Sequence, residues 1–161
     1  MSSTHTETIT RFYEAFNKLD YATMNDCYAE EVTFSDAVFK NLDSKQTRAM
    51  WHMLCTRAKD FTLDFSEVKA DGQTGSCHWE PKYLFSSTGR PVHNVIDAKF
   101  RFNEAGKIVD HQDTFNLYRW AKMALGPMGY LLGWTPMIQN RVRKTAMSNL
   151  QRFIQKHPEY Q

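Results

Sequence analysis

The stretch at residues 106–120, GKIVDHQDTFNLYRW, determines the fold class expected for this chain. Its alternating pattern predicts a long strand entered through a tight turn, because successive strand side chains point to opposite faces. One face carries Val109, His111, Asp113, Phe115 and Leu117. Three of these five side chains are apolar, so this is the face expected to be buried. A histidine and a carboxylate on a buried face are costly unless they pair with something, so His111 and Asp113 are the first candidates for function.

The composition sets limits on the classes of function. The chain has 161 residues, which fits a single domain spanning residues 1–161. Its formal net charge of +2 gives no argument for nucleic-acid binding. Three widely spaced cysteines argue against a disulfide framework, and no Cys or His cluster indicates a metal site. The sequence has neither an apolar signal segment nor a run long enough to span a bilayer. We therefore expect a cytoplasmic protein without a cofactor or metal.

The N-terminal third has helical periodicity. Apolar residues at helical spacing predict a first helix over residues 6–19. Asp20 is expected to cap a short second helix that extends to Tyr28. A short strand follows, and Ser44 is a suitable N-cap for a third helix over residues 45–58. Three helices therefore precede the sheet.

After the third helix the period of the apolar pattern changes from 3.6 to 2. Four long strands are predicted, over residues 61–70, 75–86, 91–103 and the opening stretch. The apolar parity flips within the first of them, which predicts a β-bulge near Ser66 and Glu67. Such long strands must twist. We therefore expect an α+β fold in which a strongly curved, mostly antiparallel sheet packs on the three helices and encloses a pocket. Its outer face is polar and broad, and we expect a homodimer to form through it.

Residues 119–161 differ from the rest and are expected to form a helical C-terminal extension. A helix over residues 120–125 is broken by a Gly-Pro pair, and residues 130–134, YLLGW, predict an apolar loop. Thr135 followed by Pro136 indicates the start of a last helix. This extension is expected to cap the pocket mouth or to pack on a partner subunit. The basic residues of the last helix are typical of a solvated face, so no membrane-surface role is expected.

Two stretches resemble a known superfamily. Residues 11–36, RFYEAFNKLDYATMNDCYAEEVTFSD, resemble the opening helices, strand and acidic turn of the nuclear-transport-factor-2-like (NTF2-like) superfamily. Residues 100–115, FRFNEAGKIVDHQDTF, resemble its last hairpin. The resemblance covers about residues 6–118 and is to the SnoaL-like polyketide cyclase and ketosteroid isomerase branches. It implies a cone-shaped fold, but the superfamily includes both enzymes and binders, so the fold alone does not decide function.

The resemblance implies roles for three residues. Asp36 stands at the position of the general base in the isomerase branch. His111 and Asp113 stand at strand positions that face the pocket, where SnoaL-like cyclases use a histidine and an aspartate for acid–base chemistry. These three residues are the candidate catalytic groups.

Three departures from the family patterns argue against particular reactions. Phe12 stands where the isomerase has its oxyanion-hole tyrosine, and Ala98 stands where it has a protonated acid. Both argue against steroid isomerisation. Arg101 falls on the outer sheet face by strand parity, which weakens the epoxide-hydrolase pattern of two inward carboxylates bridged by an arginine.

Several further residues are candidates for lining the pocket and contacting substrate: Tyr13, Trp51, Trp79, Tyr83, Asn94 and Phe115. Of these, Tyr13 and Asn94 are candidate donors to a substrate oxygen. The leading hypothesis is a small cofactor-independent enzyme acting on an apolar, carbonyl-bearing metabolite by isomerisation, cyclisation or dehydration. In it, His111 moves a proton while Asp113 orients the imidazole. The alternatives are a non-catalytic binder of an apolar small molecule and a dimeric scaffolding module.

Overall fold

The computed structural model describes residues 2–161, and within that range helices pack on one six-stranded sheet. The helices are α1 (Ser2–Asn17), α2 (Tyr21–Asp26), α3 (Ser44–Arg57), α4 (Leu117–Leu125), α5 (Pro127–Leu132) and α6 (Pro136–Gln155). The strands are β1 (Tyr28–Ser35), β2 (Thr62–Asp71), β3 (Thr74–Leu84), β4 (Pro91–His93), β5 (Ile96–Phe102) and β6 (Ile108–Thr114). A short 3₁₀ turn, Pro158–Tyr160, follows α6.

The sheet has the order β1-β6-β5-β3-β2, with β4 paired to β3. The β1–β6 pair is parallel and the other pairs are antiparallel. The β2–β3 register shifts between Ser66 and Lys69, and Glu67 has a φ of 54°. This confirms the predicted bulge, which bends the sheet around the helices. The α+β architecture with a curved, mostly antiparallel sheet is therefore confirmed.

The side chains of β5 alternate strictly between the core and the outer face. Buried residues alternate with exposed ones along the whole strand. Ala98 is buried, whereas Asp97 and Arg101 are exposed. The strand parity deduced from the sequence is therefore confirmed, including the outward position of Arg101. Ala98 is also the direct partner of Asp113 across β5 and β6.

The N-cap of α3 is Asp43, so the prediction that Ser44 caps this helix was wrong. The Asp43 carboxylate accepts a hydrogen bond from the Gln46 backbone N–H at 2.9 Å. The Gln46 side chain in turn accepts from the Asp43 backbone N–H at 3.0 Å, which completes a capping box. Asp43 is extended, as a cap requires, and Ser44 is already the first helical residue.

The single strand predicted over residues 91–103 is split into β4 and β5, and two other strand boundaries also differ from the sequence prediction. The strand β1 begins at Tyr28, which was assigned to α2, because Tyr28 pairs with Ile108 of β6. The strand β6 ends at Thr114, earlier than predicted, because the Asn116 side chain caps α4 by accepting from the Arg119 N–H at 3.0 Å. In both places a specific pairing or cap prevails over the local apolar pattern.

The C-terminal extension is helical throughout its main part. The apolar loop predicted at 130–134 was wrong for residues 130–132, which belong to α5, whereas Gly133 and Trp134 form a turn. The predicted start of α6 is confirmed, since the Thr135 hydroxyl accepts from the Ile138 N–H at 3.3 Å. The helices α3 and α6 run antiparallel: Lys45 binds the Gln161 carbonyl, and His52 packs edge-on against Phe153. None of the helices within residues 2–161 combines the length and apolar character needed to cross a bilayer.

We predict that Asp43→Ala lowers the free energy of unfolding by about 1 kcal/mol, because it removes the side-chain half of the capping box. Urea unfolding followed by circular dichroism measures the change. The matched control is Asp64→Ala, which removes an exposed carboxylate from β2. Equal stability losses in the two variants would contradict the assigned role of Asp43.

Candidate functional site

A cavity of about 550 Å³ lies between the concave sheet face, α3 and the C-terminal helices. Its size is in the usual range for small-molecule sites. Seven of the nine candidate residues line it: Asp36, Trp51, Trp79, Tyr83, Asn94, Asp113 and Phe115. The other two candidates, His111 and Tyr13, are not part of the lining. The arrangement of His111 and Asp113 therefore differs in one respect from the expectation: the carboxylate reaches the cavity and the imidazole does not.

His111 and Asp113 are hydrogen-bonded to each other in the interior. The distance between His111 Nε2 and Asp113 Oδ1 is 2.9 Å, and both side chains are almost completely buried. The Trp79 indole N–H also donates to Asp113 Oδ1, at 3.4 Å. The second oxygen, Oδ2, makes no hydrogen bond to any residue in the range 2–161. It is therefore free to accept a hydrogen bond or a proton from a molecule in the cavity.

Tyr28 completes the network on the far side of the imidazole. Its hydroxyl lies 2.8 Å from His111 Nδ1 and accepts from the Trp51 indole N–H at 2.8 Å. The assignment that satisfies every donor has Tyr28 donating to Nδ1 and the His111 proton on Nε2, directed at Asp113. His111 thus links Tyr28 to the carboxylate and holds the carboxylate in place.

Tyr28 was missed as a site residue because the sequence pattern placed it at the end of a helix. No local pattern marks it, because the β1–β6 register shifts between Tyr28 and Thr33 and strict alternation therefore fails at the start of β1. Burial raises the pKa of Tyr28 well above its usual range, and the charge on Asp113 raises it further. Tyr28 is therefore a neutral hydrogen-bonding group and not a base.

Tyr13 lies behind the cavity wall, so its proposed contact with substrate is not supported by its position. Its ring packs against Trp79 and Phe65, with ring centroids 5.5 and 5.6 Å away, and it has no exposed surface. Its hydroxyl has no hydrogen-bond partner in the part of the chain that the structure describes. Burial, followed by the charge on Asp113, raises the pKa of Tyr13 well above its usual range.

Asp36 supplies a second carboxylate to the same cavity. It lies in the turn after β1, where its Oδ1 accepts from the backbone N–H groups of Val38 and Phe39 at 2.7 and 2.6 Å. Burial and, to a smaller extent, the nearby charge on Asp113 together raise the pKa of Asp36 to about 6, against the effect of these hydrogen bonds. A carboxyl with this pKa changes its protonation state close to neutral pH.

Two polar groups in the lining can donate to a ligand oxygen. The Tyr83 hydroxyl accepts from the Trp120 indole N–H at 3.0 Å, so its own proton is available. The Asn94 side-chain oxygen accepts from the Val95 N–H at 3.0 Å, and its amide nitrogen makes no hydrogen bond within residues 2–161. Tyr83 therefore occupies the donor position that sequence reasoning gave to Tyr13.

The C-terminal extension forms one wall of the cavity. Ile138, Val142 and Ala146 of α6 line it, spaced four residues apart on one helical face. Leu125 and Met128 contribute at the α4–α5 corner. The extension was expected either to cap the pocket or to pack on a partner subunit, and in this structure it covers the pocket.

Within residues 2–161 no group of three or more His, Cys, Asp or Glu side chains is arranged to hold a metal ion.

A comparison with known protein families finds a match over the N-terminal two-thirds of the chain. The family model for the SnoaL-like domain matches residues 9–111. The match ends at β6, so α4, α5 and α6 lie outside it. No curated protein matches the chain in sequence.

Solved structures show the same fold at low sequence identity. An M. tuberculosis LEH-like epoxide hydrolase superposes with a TM-score of 0.65 at 16% identity, covering 81% of this chain and 96% of that one. A hypothetical protein with a ketosteroid isomerase-like fold from Catenulispora acidiphila gives 0.66 at 14%, covering 81% and 98%. The epoxide hydrolase/cyclase-like enzyme SalBIII gives 0.62 at 13%, covering 70% and 91%. The fold is therefore the ketosteroid isomerase-like NTF2 fold.

We predict opposite stability changes when the hydroxyls of Tyr13 and Tyr28 are removed. Tyr13→Phe deletes a buried hydroxyl that has no partner, so the free energy of unfolding rises by about 1 kcal/mol. Tyr28→Phe leaves the Trp51 N–H and His111 Nδ1 unpaired, so it falls by about 2 kcal/mol. Urea unfolding of the two variants, each the other's matched control, measures both changes. A stability loss in Tyr13→Phe as large as that in Tyr28→Phe would contradict the network.

Proposed function

Since the chain belongs to the SnoaL-like domain family, we propose that it is a small enzyme that catalyses proton transfer on an apolar, carbonyl-bearing metabolite. One observation carries the proposal: two carboxylates, Asp36 and Asp113, face a single cavity whose other walls are mainly apolar. Apolar walls bind the body of such a molecule, and the carboxylates act at its carbonyl end. Isomerisation and aldol-type cyclisation share one first step, the removal of a proton next to a carbonyl. Dehydration of a β-hydroxy carbonyl compound also begins with it.

Asp36 is the proposed base for that step. A general base works best when its pKa lies near the working pH, because it is then both ionised and strong enough. Burial gives Asp36 a pKa of about 6, which meets this condition. Its Oδ1 is held by two backbone N–H groups, so Oδ2 is the oxygen that takes the proton.

Asp113 is the proposed second proton-transfer group. Its free Oδ2 accepts the proton that leaves a second position of the substrate, either a hydroxyl or another carbon next to the carbonyl, while the N–H groups of His111 and Trp79 fix Oδ1. His111 acts through Asp113 and is therefore a positioning residue. The sequence prediction had the opposite roles, with His111 moving the proton and Asp113 orienting the imidazole.

Tyr83 and Asn94 are the proposed donors to the carbonyl oxygen, where negative charge develops as the proton leaves. Burial raises the pKa of Tyr83, and the charge on Asp36 raises it too, so Tyr83 keeps the proton that it donates. A scaffolding module is disfavoured, because it requires a filled cone and this cone contains a cavity of about 550 Å³.

The exchange of α-protons for deuterium in an apolar ketone tests the proposal without knowledge of the natural substrate. We predict that the wild-type protein accelerates exchange in 2-tetralone dissolved in D₂O, followed by proton NMR. Asp36→Asn and Asp113→Asn should each lower the catalysed rate at least about 100-fold, because each removes an acid–base group.

The matched control for these variants is Asp64→Asn, which changes an exposed carboxylate on β2 and should leave the rate unchanged. Full exchange activity in Asp36→Asn would refute its assignment as the base. A wild-type protein that binds apolar ketones in the cavity without accelerating exchange would support the non-catalytic binder instead.

The pH dependence of the exchange follows from the raised pKa of Asp36. A base must be ionised, and Asp36 is protonated below its pKa of about 6. We therefore predict that the rate rises as the pH increases through about 6 and is level above it. Measurements of the exchange rate between about pH 5 and 8 test this. In Asp36→Asn, the residual rate should not rise through about pH 6. A rate that falls as the pH rises through this range would show that Asp36 acts as an acid.

A further inference from the structure

The mouth of the cavity carries positive charge, although the interior carries two carboxylates. We define the polar rim as the exposed polar residues of the lining together with the half-buried Asn149 of α6: Arg57, Ser86, Ser87, Arg141, Thr145 and Asn149. The acidic floor comprises the remaining polar residues, which are buried or half-buried: Asp36, Tyr83, Asn94 and Asp113. The rest of the lining is mainly apolar and aromatic.

The two rim arginines come from different elements and line the same cavity. Arg57 lies in the last turn of α3, and Arg141 lies in the second turn of α6. Both line the cavity, and both are exposed. Neither forms an ion pair or a hydrogen bond within residues 2–161. In contrast, Arg143 on the same helix is fixed by hydrogen bonds to the Ala37 carbonyl and the Asn140 side chain.

We propose that the rim arginines Arg57 and Arg141 bind the anionic group of an amphiphilic substrate whose apolar body fills the cavity. The planar guanidinium group offers paired N–H donors that match a carboxylate or a phosphate. The hydroxyls of Ser86 and Ser87 supply further donors at the same opening. The ligand is therefore an apolar molecule that carries one carboxylate or phosphate at one end.

The charge distribution also fixes the direction in which such a ligand enters. Asp36 and Asp113 on the acidic floor repel an anionic group, whereas the rim arginines attract it. The apolar end therefore goes in first, and its reacting carbonyl comes to lie beside the acidic floor. The inference rests on the proposed function and names the substrate class of the same site. Arg57 lies inside the region matched by the family model and Arg141 lies outside it, so the C-terminal extension supplies one of the two arginines.

Binding of simple amphiphiles tests the inference separately from catalysis. Isothermal titration calorimetry at low ionic strength compares decanoate, decyl phosphate and decanol, which share one apolar chain. We predict that at least one of the two anions binds the wild-type protein about tenfold more tightly than decanol. The double variant Arg57→Gln/Arg141→Gln should lose this preference and keep its affinity for decanol. The anion with the larger preference identifies the recognised group.

The matched control is Lys99→Gln/Arg101→Gln, which removes the same amount of charge from exposed positions on the outer face of β5. It should retain the preference for the anion. Equal binding of decanol and both anions by the wild-type protein, or a preference that survives in Arg57→Gln/Arg141→Gln, would overturn the inference. Absence of binding by all three compounds would also overturn it. A protein with the anion preference but without ketone exchange would refute the proposed function and leave this inference standing.

Discussion

The hydrogen bond between His111 and Asp113 is the interaction on which the rest of the site depends. A carboxylate in an apolar interior is tolerated only when hydrogen-bond donors face it, and the N–H groups of His111 and Trp79 meet that condition at one oxygen. The imidazole is satisfied in turn by Tyr28. The other carboxylate oxygen is left for the cavity. The bond therefore holds Asp113 Oδ2 at the cavity surface, while His111 and Tyr28 stay out of contact with the cavity.

The charge on Asp113 acts on the groups around it. Burial is the main cause of the raised pKa of Tyr13 and of Tyr28, and the charge on Asp113 raises both further. The same charge adds to the effect of burial on the pKa of Asp36. Two carboxylates in one cavity thus differ in their surroundings: one accepts N–H donors from side chains deep in the core, and the other lies in a turn near the wall. Two carboxylates in different surroundings can take different proton-transfer roles.

Much of the fold could be predicted from the sequence, because periodicity and parity report which face of an element is buried. The inward direction of His111 and Asp113 followed from alternation along one strand. Tyr28 could not be found this way, because a pairing with β6 that is distant in sequence decides that the residue is in a strand. The sequence also could not show how far each inward-facing side chain lies from the cavity surface. Helical spacing placed Tyr13 toward the interior, and strand parity did the same for His111. Only the packing of Trp79 on Tyr13 and of Trp51 on His111 shows that neither residue reaches the cavity.

The central claim is that the half-buried carboxyl of Asp36 faces the cavity as a base, with its pKa raised to about 6. Carbon-13 NMR of the aspartate side-chain carboxyls, with the Asp36 resonance assigned by its absence from Asp36→Asn, tests this directly because it needs no substrate. The account predicts that the Asp36 carboxyl titrates with a pKa of about 6, raised chiefly by burial. A titration at the value of an exposed aspartate, near 4, would contradict it.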